Sequence, residues 1–348
     1  MPAIIRNKKN SAAFRPEKYD FMGHLPVPLK YAFKEGLEKI QKKYSGKTGK
    51  TLNCYFPMGG GGNEPFKILG RAKSANDLPG IVLSSAFDGL FCKKFLERFA
   101  DSGEFQFCQK APLPPVYADC NIQDPKKFFT VFSVAPIVML ADLGKLKNLP
   151  RPRRWDDLLD PVYRKKIIFG GWRKEGQKKF SEFNNFLLLN LYKDYGAESL
   201  KSLAQNTRNL LHYVYMSRIA GTAESEAAIY IMPWFLAGIC PRRGKTEIIW
   251  PEDGALAFPT YLLLKKTESE RLGILARYLA GKKLGQYLND NRYPSLNPDA
   301  RNPYPPGAKL KWIGWDYVYS NNVLKLMETA SKIFFNHWRD PSPAKTKK

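Results

Sequence analysis

The sequence predicts an α/β protein made of two units. Three observations carry this. A length of 348 residues is what about two ordinary domains need. Periodic apolar helices alternate with short apolar strands, the pattern of parallel sheets joined by helical crossovers. The stretch PRPRRWDDLLDPVYRKKIIF, Pro150 to Phe169, is punctuated as a chain is when it leaves one unit and enters another.

Taken in order, Phe33, Leu37, Ile40 and Tyr44 recur at helical spacing, and Leu52 to Phe56 is a strand followed by a Gly59–Gly62 loop. Ile81, Val82 and Leu83 form a buried strand ending at Ser84 and Ser85; Phe91, Phe95, Leu96 and Phe99 make the next helix face. Phe129 to Phe132 and Ile137 to Leu140 are strand-like runs on either side of Pro136. Pro150 and Pro152 forbid a continuing helix, Asp156 and Asp157 suit a first helical turn, and Pro161 ends it before the strand at Ile167. Phe186 to Leu191 is an apolar helix predicted to stop at Gly196, and Ala227 to Met232 is a strand entering Pro233 and Trp234. Thr267 to Glu270 has the form of a capping box, predicted to open a helix with Leu272, Leu275 and Leu279 inward. A last helix spans about Asn322 to Trp338, and the tail PSPAKTKK is polar and basic.

The order Pro, Trp, Asp-Leu-Leu, Asp-Pro, Tyr, basic residues and strand within 150–169 resembles the inter-lobe crossing of bacterial solute-binding proteins of ABC importers. Its nearest likeness is to the ferric-iron and polyamine branches. IIWPEDGALAFPTYLLLKK, Ile248 to Lys266, resembles the return crossing of the same family. The resemblance covers about residues 20–338. It implies a two-lobed type II periplasmic-binding-protein-like fold with two hinge crossings. Lobe one is then expected at 18–140 plus 256–340, lobe two at 141–255, and a basic tail at 341–348. The cleft between the lobes becomes the expected ligand site.

Composition narrows the function classes. No run approaches about 18 apolar residues, so no spanning helix is expected. The leader MPAIIRNKKNSAAFRPEKYD lacks an apolar core and is not a secretory signal as it stands. Either a signal was removed or this is a cytoplasmic member of a usually exported family; the polar lead after Met1 favours the second. Cys54, Cys92, Cys108, Cys120 and Cys240 are odd in number and contain no C-x-x-C pair, which disfavours zinc and a disulfide framework and favours buried free thiols. The net charge of +24 fits nucleic acid, an anionic lipid surface or an anionic ligand. The charge is dispersed, and no nucleic-acid recognition motif accompanies it.

Several segments are candidates for ligand contact. Gly59, Gly60 and Gly61, in Met58 to Asn63, expose backbone N–H groups that can hold an oxyanion, or they form a plain connector. Gly46-Lys47-Thr48 and Gly49-Lys50-Thr51 do not complete a nucleotide-binding loop, because no glycine stands at the required first position. Ser84, Ser85 and Asp88 follow a buried strand and either bind an anion or cap the next helix. Tyr213, Tyr215 and Arg218 lie where the resemblance places the ligating tyrosines of ferric-binding relatives. Here the two tyrosines are separated by Val214, so they share a face on a strand and diverge on a helix. Trp234 follows a strand and packs on a ligand or in a core, and Glu252-Asp253-Gly254 is a turn.

Catalysis has no signature: His24, His212 and His337 are the only histidines, and neither H-E-x-x-H nor G-x-S-x-G occurs. The expected function is binding of a small solute, an anion favoured, without cofactor, metal or nucleic acid. The expected form is a monomer that serves ABC permease subunits or acts as a cytoplasmic relative. An enzyme on the same fold and a basic nucleic-acid-binding protein are the alternatives.

Overall fold

The computed structural model describes residues 14–58, 64–85, 87–109, 112–174, 177–179, 182–301 and 304–339. Gly59, Gly60 and Gly61 and the 341–348 tail lie outside the described residues. Twelve strands are present among them: β1 (Phe21–Gly23), β2 (Cys54–Tyr55), β3 (Ile81–Ser84), β4 (Thr130–Asp142), β5 (Ile167–Gly170), β6 (Trp172–Lys174), β7 (Gln177–Lys179), β8 (Thr207–Leu211), β9 (Ile229–Pro233), β10 (Thr246–Ile249), β11 (Ala255–Leu264) and β12 (Leu310–Lys311). All but the β6–β7 hairpin join one sheet in the order β2-β1-β3-β11-β4-β9-β5-β8, with β10 beside β4 and β12 beside β11.

The order has an internal symmetry. In the first half, β1 pairs parallel with β2 and β3, and β3 pairs antiparallel with β11. In the second, β5 pairs parallel with β8 and β9, and β9 pairs antiparallel with β4. Each lobe is therefore a small parallel sheet closed by one antiparallel strand that also belongs to the other lobe. Helices make the crossovers. Val27–Thr48 runs from β1 to β2 with Leu29, Phe33, Leu37 and Tyr44 buried at the spacing read from the sequence. Glu182–Asn206 and Tyr213–Ile219 serve the second lobe.

The chain passes between the lobes along β4 and returns along β11. Pro136 does not divide β4, which is continuous for 13 residues. Val134 donates its N–H to Pro294 at 2.9 Å on the edge away from β11, and β9 takes over that edge from Ile137. Pro136 points the same way as Val134 and falls in the gap between these partners, so its missing N–H costs no ladder bond. Pro259 pairs with Val134 and turns its own missing N–H away from β4 in the same manner. The shared ladder stays intact while its outer edges are free at one level.

The two landmark segments meet each other. The Trp155 indole donates to the Gly254 carbonyl at 2.9 Å, Glu252 N–H to the Arg153 carbonyl at 2.8 Å, and Tyr163 hydroxyl to the Pro150 carbonyl at 2.5 Å.

One expected helix end holds and three expectations are corrected. The apolar helix ends at Gly196 as expected: that residue is outside helical space, with φ 73° and ψ −169°, and a second helix then runs on to Asn206. The Thr267–Glu270 box does not cap a helix. Ser269 hydroxyl donates to the Lys266 carbonyl at 2.7 Å and Glu268 accepts from Arg271 at 2.6 Å, closing a short turn, and the helix starts at Gly273. Only Cys240 is a fully buried thiol; the other four are half-buried, and all five are free. The last helix, Val323–His337, was expected in lobe one. Instead it packs on lobe-two elements: Phe334 meets Phe169 of β5 edge-on at 5.3 Å, and Ser331 donates to Asn185 at 2.9 Å. Its apolar stripe finds an uncovered face of the second sheet there.

Candidate functional site

In both lobes the carboxyl ends of the parallel strands open toward the crossing strands, where open α/β sheets place ligands. On the lobe-one side these ends carry His24 after β1 and Ser84, Ser85, Phe87 and Asp88 at and after β3. On the lobe-two side they carry Gly170, Gly171, His212, Tyr213 and Trp234.

Ser84 and Asp88 form a closed unit. Ser84 hydroxyl donates to Asp88 Oδ2 at 2.6 Å, and Leu90 N–H donates to Oδ1 at 3.0 Å, so Asp88 caps the short turn Gly89–Phe91. Burial pushes the Asp88 carboxyl up to about 6, against the pull of bonds from Ser84, Leu90 and the Tyr261 hydroxyl. Of the two sequence readings of this turn, the capping one is met, by Asp88. Ser85 is buried beside it.

His24 and Lys30 lie at the neighbouring strand end, and the site prediction from sequence included neither. Lys30, on the first turns of Val27–Thr48, is 1% exposed, and burial lowers its ammonium. His24 lies edge-on to Phe66 at 6.0 Å, and burial together with Lys30 brings it down to about 4, so it is neutral near pH 7. A buried lysine three or four residues inside an otherwise ordinary amphipathic helix gives no periodic signal, because long lysine stems occupy apolar faces freely.

In lobe two, Tyr213 starts a helix with His212 as its cap. Its hydroxyl donates to Asn184 Oδ1 at 2.6 Å. Its ring lies on the backbone of Gly170, where a Cβ would sit 2.2 Å from the ring carbon Cζ. Tyr215 points elsewhere and is 45% exposed, as the helical alternative requires. Arg218 is exposed. Trp234 is buried, stacked on Tyr304 at 5.9 Å and 11°, edge-on to Trp250 at 5.4 Å, with Arg292 over its face at 6.0 Å. Tyr304 in turn donates to Tyr117 at 3.2 Å, so Trp234 is built into a contact between late and middle parts of the chain.

The lobes meet through aromatic rings. Phe87 of lobe one stacks on Phe186 of Glu182–Asn206 at 5.6 Å, and Trp312 stacks on both at 6.0 Å. Phe258 of β11 closes the group from below, 5.3 Å from Phe186 and 4.6 Å from Phe183. Sequence reasoning passed over these rings. Phe87 was inside a segment chosen for its hydroxyls, and an apolar ring in a strand or helix has the same signature whether it faces a core or a cleft. Among the described residues no group of three or more histidine, cysteine, aspartate and glutamate side chains could hold a metal ion.

A family model described as bacterial extracellular solute-binding protein matches residues 76–321, more than half of the chain. No curated protein sequence matches it. Among solved structures the chain is similar to a ferric binding protein from Campylobacter jejuni, with 12% identity, a TM-score of 0.57 and coverage of 91% of this chain and 98% of that one. It is similar to an apo ferric ion-binding protein A from Pasteurella haemolytica, with 14% identity, a TM-score of 0.59 and coverage of 92% and 97%. It is similar to an ABC transporter structure from Clostridium perfringens, with 11% identity, a TM-score of 0.60 and coverage of 92% and 99%. At these identities the likeness carries the fold, two lobes of mixed α/β structure joined by two crossings.

Proposed function

The chain belongs to the bacterial extracellular solute-binding protein family, and from that premise we propose that it closes its two lobes on a small solute and presents it to ABC permease subunits. The observation that carries the cleft is the symmetry of the strand ends. Parallel strands of both lobes end toward the same pair of crossing strands, and the residues there come from both sides. We place lobe one at 18–140 plus 256–322, and lobe two at 141–255 with the helix Val323–His337 added. The buried Lys30 beside His24 and the net charge of +24 support an anionic solute.

Binding without chemistry is the reading the histidines support. His24 lies edge-on to Phe66; His212 accepts the Val214 N–H at 3.3 Å; His337 is bonded to the Ile333 carbonyl at 2.8 Å. Each is engaged in holding local structure. Two of the similar structures are ferric-binding proteins, and a metal cargo in this chain would need Tyr213 and Tyr215 to converge, which their helix prevents. We propose a cargo that is not bare ferric iron. A coloured stoichiometric iron complex lost in Tyr213→Phe would overturn that.

Native mass spectrometry of gently purified protein identifies a retained solute. Small-angle scattering with and without that solute then reads closure. The expected result is a smaller radius of gyration when loaded; an unchanged radius at saturation removes the closing cleft.

A further inference from the structure

We propose that the solute is a flat aromatic or heteroaromatic ring carrying a hydrogen-bond acceptor, taken up between Phe87 and Phe186 with its acceptor on the indole N–H of Trp312. This rests on the cleft reading above and names its ligand chemistry.

Three ring planes are nearly parallel there. Phe87 and Phe186 differ by 22°, Phe87 and Trp312 by 19°, and Phe186 and Trp312 by 26°. Phe258 stands across them at 79° to Phe186 and forms a wall at the crossing strand. Parallel faces with a perpendicular wall are the arrangement that accepts another flat ring by offset stacking. The faces are divided between the lobes. Phe87 follows β3 of lobe one. Phe186 belongs to lobe two. Trp312 follows β12, which pairs with β11, and lies 5.3 Å from Trp315, whose indole donates to the Ile122 carbonyl at 2.8 Å, so it stays with Phe87 in lobe one. Opening the lobes therefore parts Phe186 from Phe87 and Trp312 and leaves a slot with an aromatic face on each side.

Trp312 brings an unpartnered donor to the slot. The Trp312 side chain is buried, its residue only 6% exposed, and its indole nitrogen has no acceptor among the described residues. An indole N–H is a donor only, and buried ones almost always have a partner. The protein's other two lobe-bridging or landmark indoles, Trp155 and Trp250, both donate to backbone carbonyls, at 2.9 and 2.7 Å. Trp312 alone of these three waits for an acceptor, inside the ring group that lobe motion would open. A ring nitrogen or ring-borne carboxylate supplies it, and a carboxylate also suits the positive charge of the chain. A saturated ring of the same outline is too thick to stack on both faces.

The test uses the full chain and three probes, nicotinate, benzoate and cyclohexanecarboxylate, with spin labels carried by unnatural amino acids at Lys43 in lobe one and Glu198 in lobe two. Label distances are recorded without probe and with each probe at millimolar concentration, and affinities by calorimetry. The expected result is a broad or two-peaked distance distribution without probe that nicotinate and benzoate sharpen toward the short distance. Cyclohexanecarboxylate binds at least tenfold more weakly. Phe87→Leu, which keeps an apolar side chain, weakens the flat probes at least tenfold. Trp312→Phe keeps the stacking face and reduces nicotinate and benzoate binding by at least fivefold. Two distance populations that no flat probe shifts, or equal affinity for benzoate and cyclohexanecarboxylate, overturn the ring proposal and leave the cleft. One rigid distance under every condition overturns the cleft reading itself. Flat probes that bind Phe87→Leu and Trp312→Phe as they bind the wild type place the ring site elsewhere and also overturn the proposal.

Discussion

At the scale of single residues, a buried carboxyl and a half-buried imidazole at the ends of neighbouring strands have opposite pH signatures. Asp88 is held up to about 6 by burial, so the folded state binds its proton more tightly than the unfolded chain does. Stability from this group is full below the ordinary carboxylate value near 4 and is lost as pH rises to about 6. His24 is held down to about 4 by burial and Lys30, so the unfolded chain binds its proton more tightly. Stability from this group is full above about 6.5 and is lost as pH falls to about 4. The two slopes oppose each other over the same window, each worth on the order of 3 kcal/mol. Urea unfolding of the wild type between pH 4 and 7 is expected to be nearly flat with respect to these two groups. Asp88→Asn should unmask stability that rises with pH, and His24→Phe stability that falls. Identical pH dependence in wild type and Asp88→Asn would remove Asp88 as a buried acid. Gly170→Ala is a steric counterpart. The added Cβ meets the Tyr213 ring at 2.2 Å, so the ring must leave Gly170 and its bond to Asn184. We expect a loss of about 1–3 kcal/mol in thermal unfolding. A midpoint equal to wild type would mean that Tyr213 has a second low-energy position.

At the scale of elements, Glu182–Asn206 is two helices that break at Gly196. The first half packs Phe183 and Phe186 against Phe258 of β11, while the second buries Leu200, Leu203 and Ala204. Gly196 lies between them in backbone space that is nearly closed to other residues, and Ser199 hydroxyl holds the break by donating to the Gly196 carbonyl at 2.6 Å. A Cβ at Gly196 would meet nothing within 4 Å, so the cost of Gly196→Ala is pure backbone strain. We expect about 1–3 kcal/mol. Chemical denaturation checks this, and an unchanged midpoint would show that the halves can straighten without loss.

At the scale of the whole molecule, the lobes are joined by one antiparallel ladder with prolines at its free level and by side chains that tie late segments to lobe two. Lys311 is the central tie. Its ammonium is kept charged against burial by Asp194 and Asp253. Lys311→Met takes the shared ammonium from Asp194 and Asp253, which keep Lys193 and the Trp155 N–H as partners, while β12 remains paired to β11. We expect about 1–3 kcal/mol less stability and a larger radius of gyration in scattering, since Trp312 loses its anchor to the second lobe. An unaltered radius would assign the tie to Val323–His337 instead.

The sequence by itself determined the alternation of helices and strands, the two crossings and the family resemblance. Local chemistry writes these directly: apolar periodicity sets helix and strand, and Pro150, Pro161, Pro251 and Gly254 set where the chain turns. It also set the two alternatives for Tyr213 and Tyr215, and it placed Ser84 to Asp88 at a strand end. Only the tertiary structure decided that the tyrosines diverge, that Pro136 passes through an unbroken strand, and that the last helix belongs against β5. Those outcomes depend on which edge or face a distant segment occupies, and residues 134, 169 and 294 carry no mark of their partners. The same holds for the site. Phe87, Phe186, Phe258 and Trp312 lie far apart in the chain and share no motif. Burying an aromatic face stabilises a core and a closed cleft alike, so the sequence gives no way to tell one from the other.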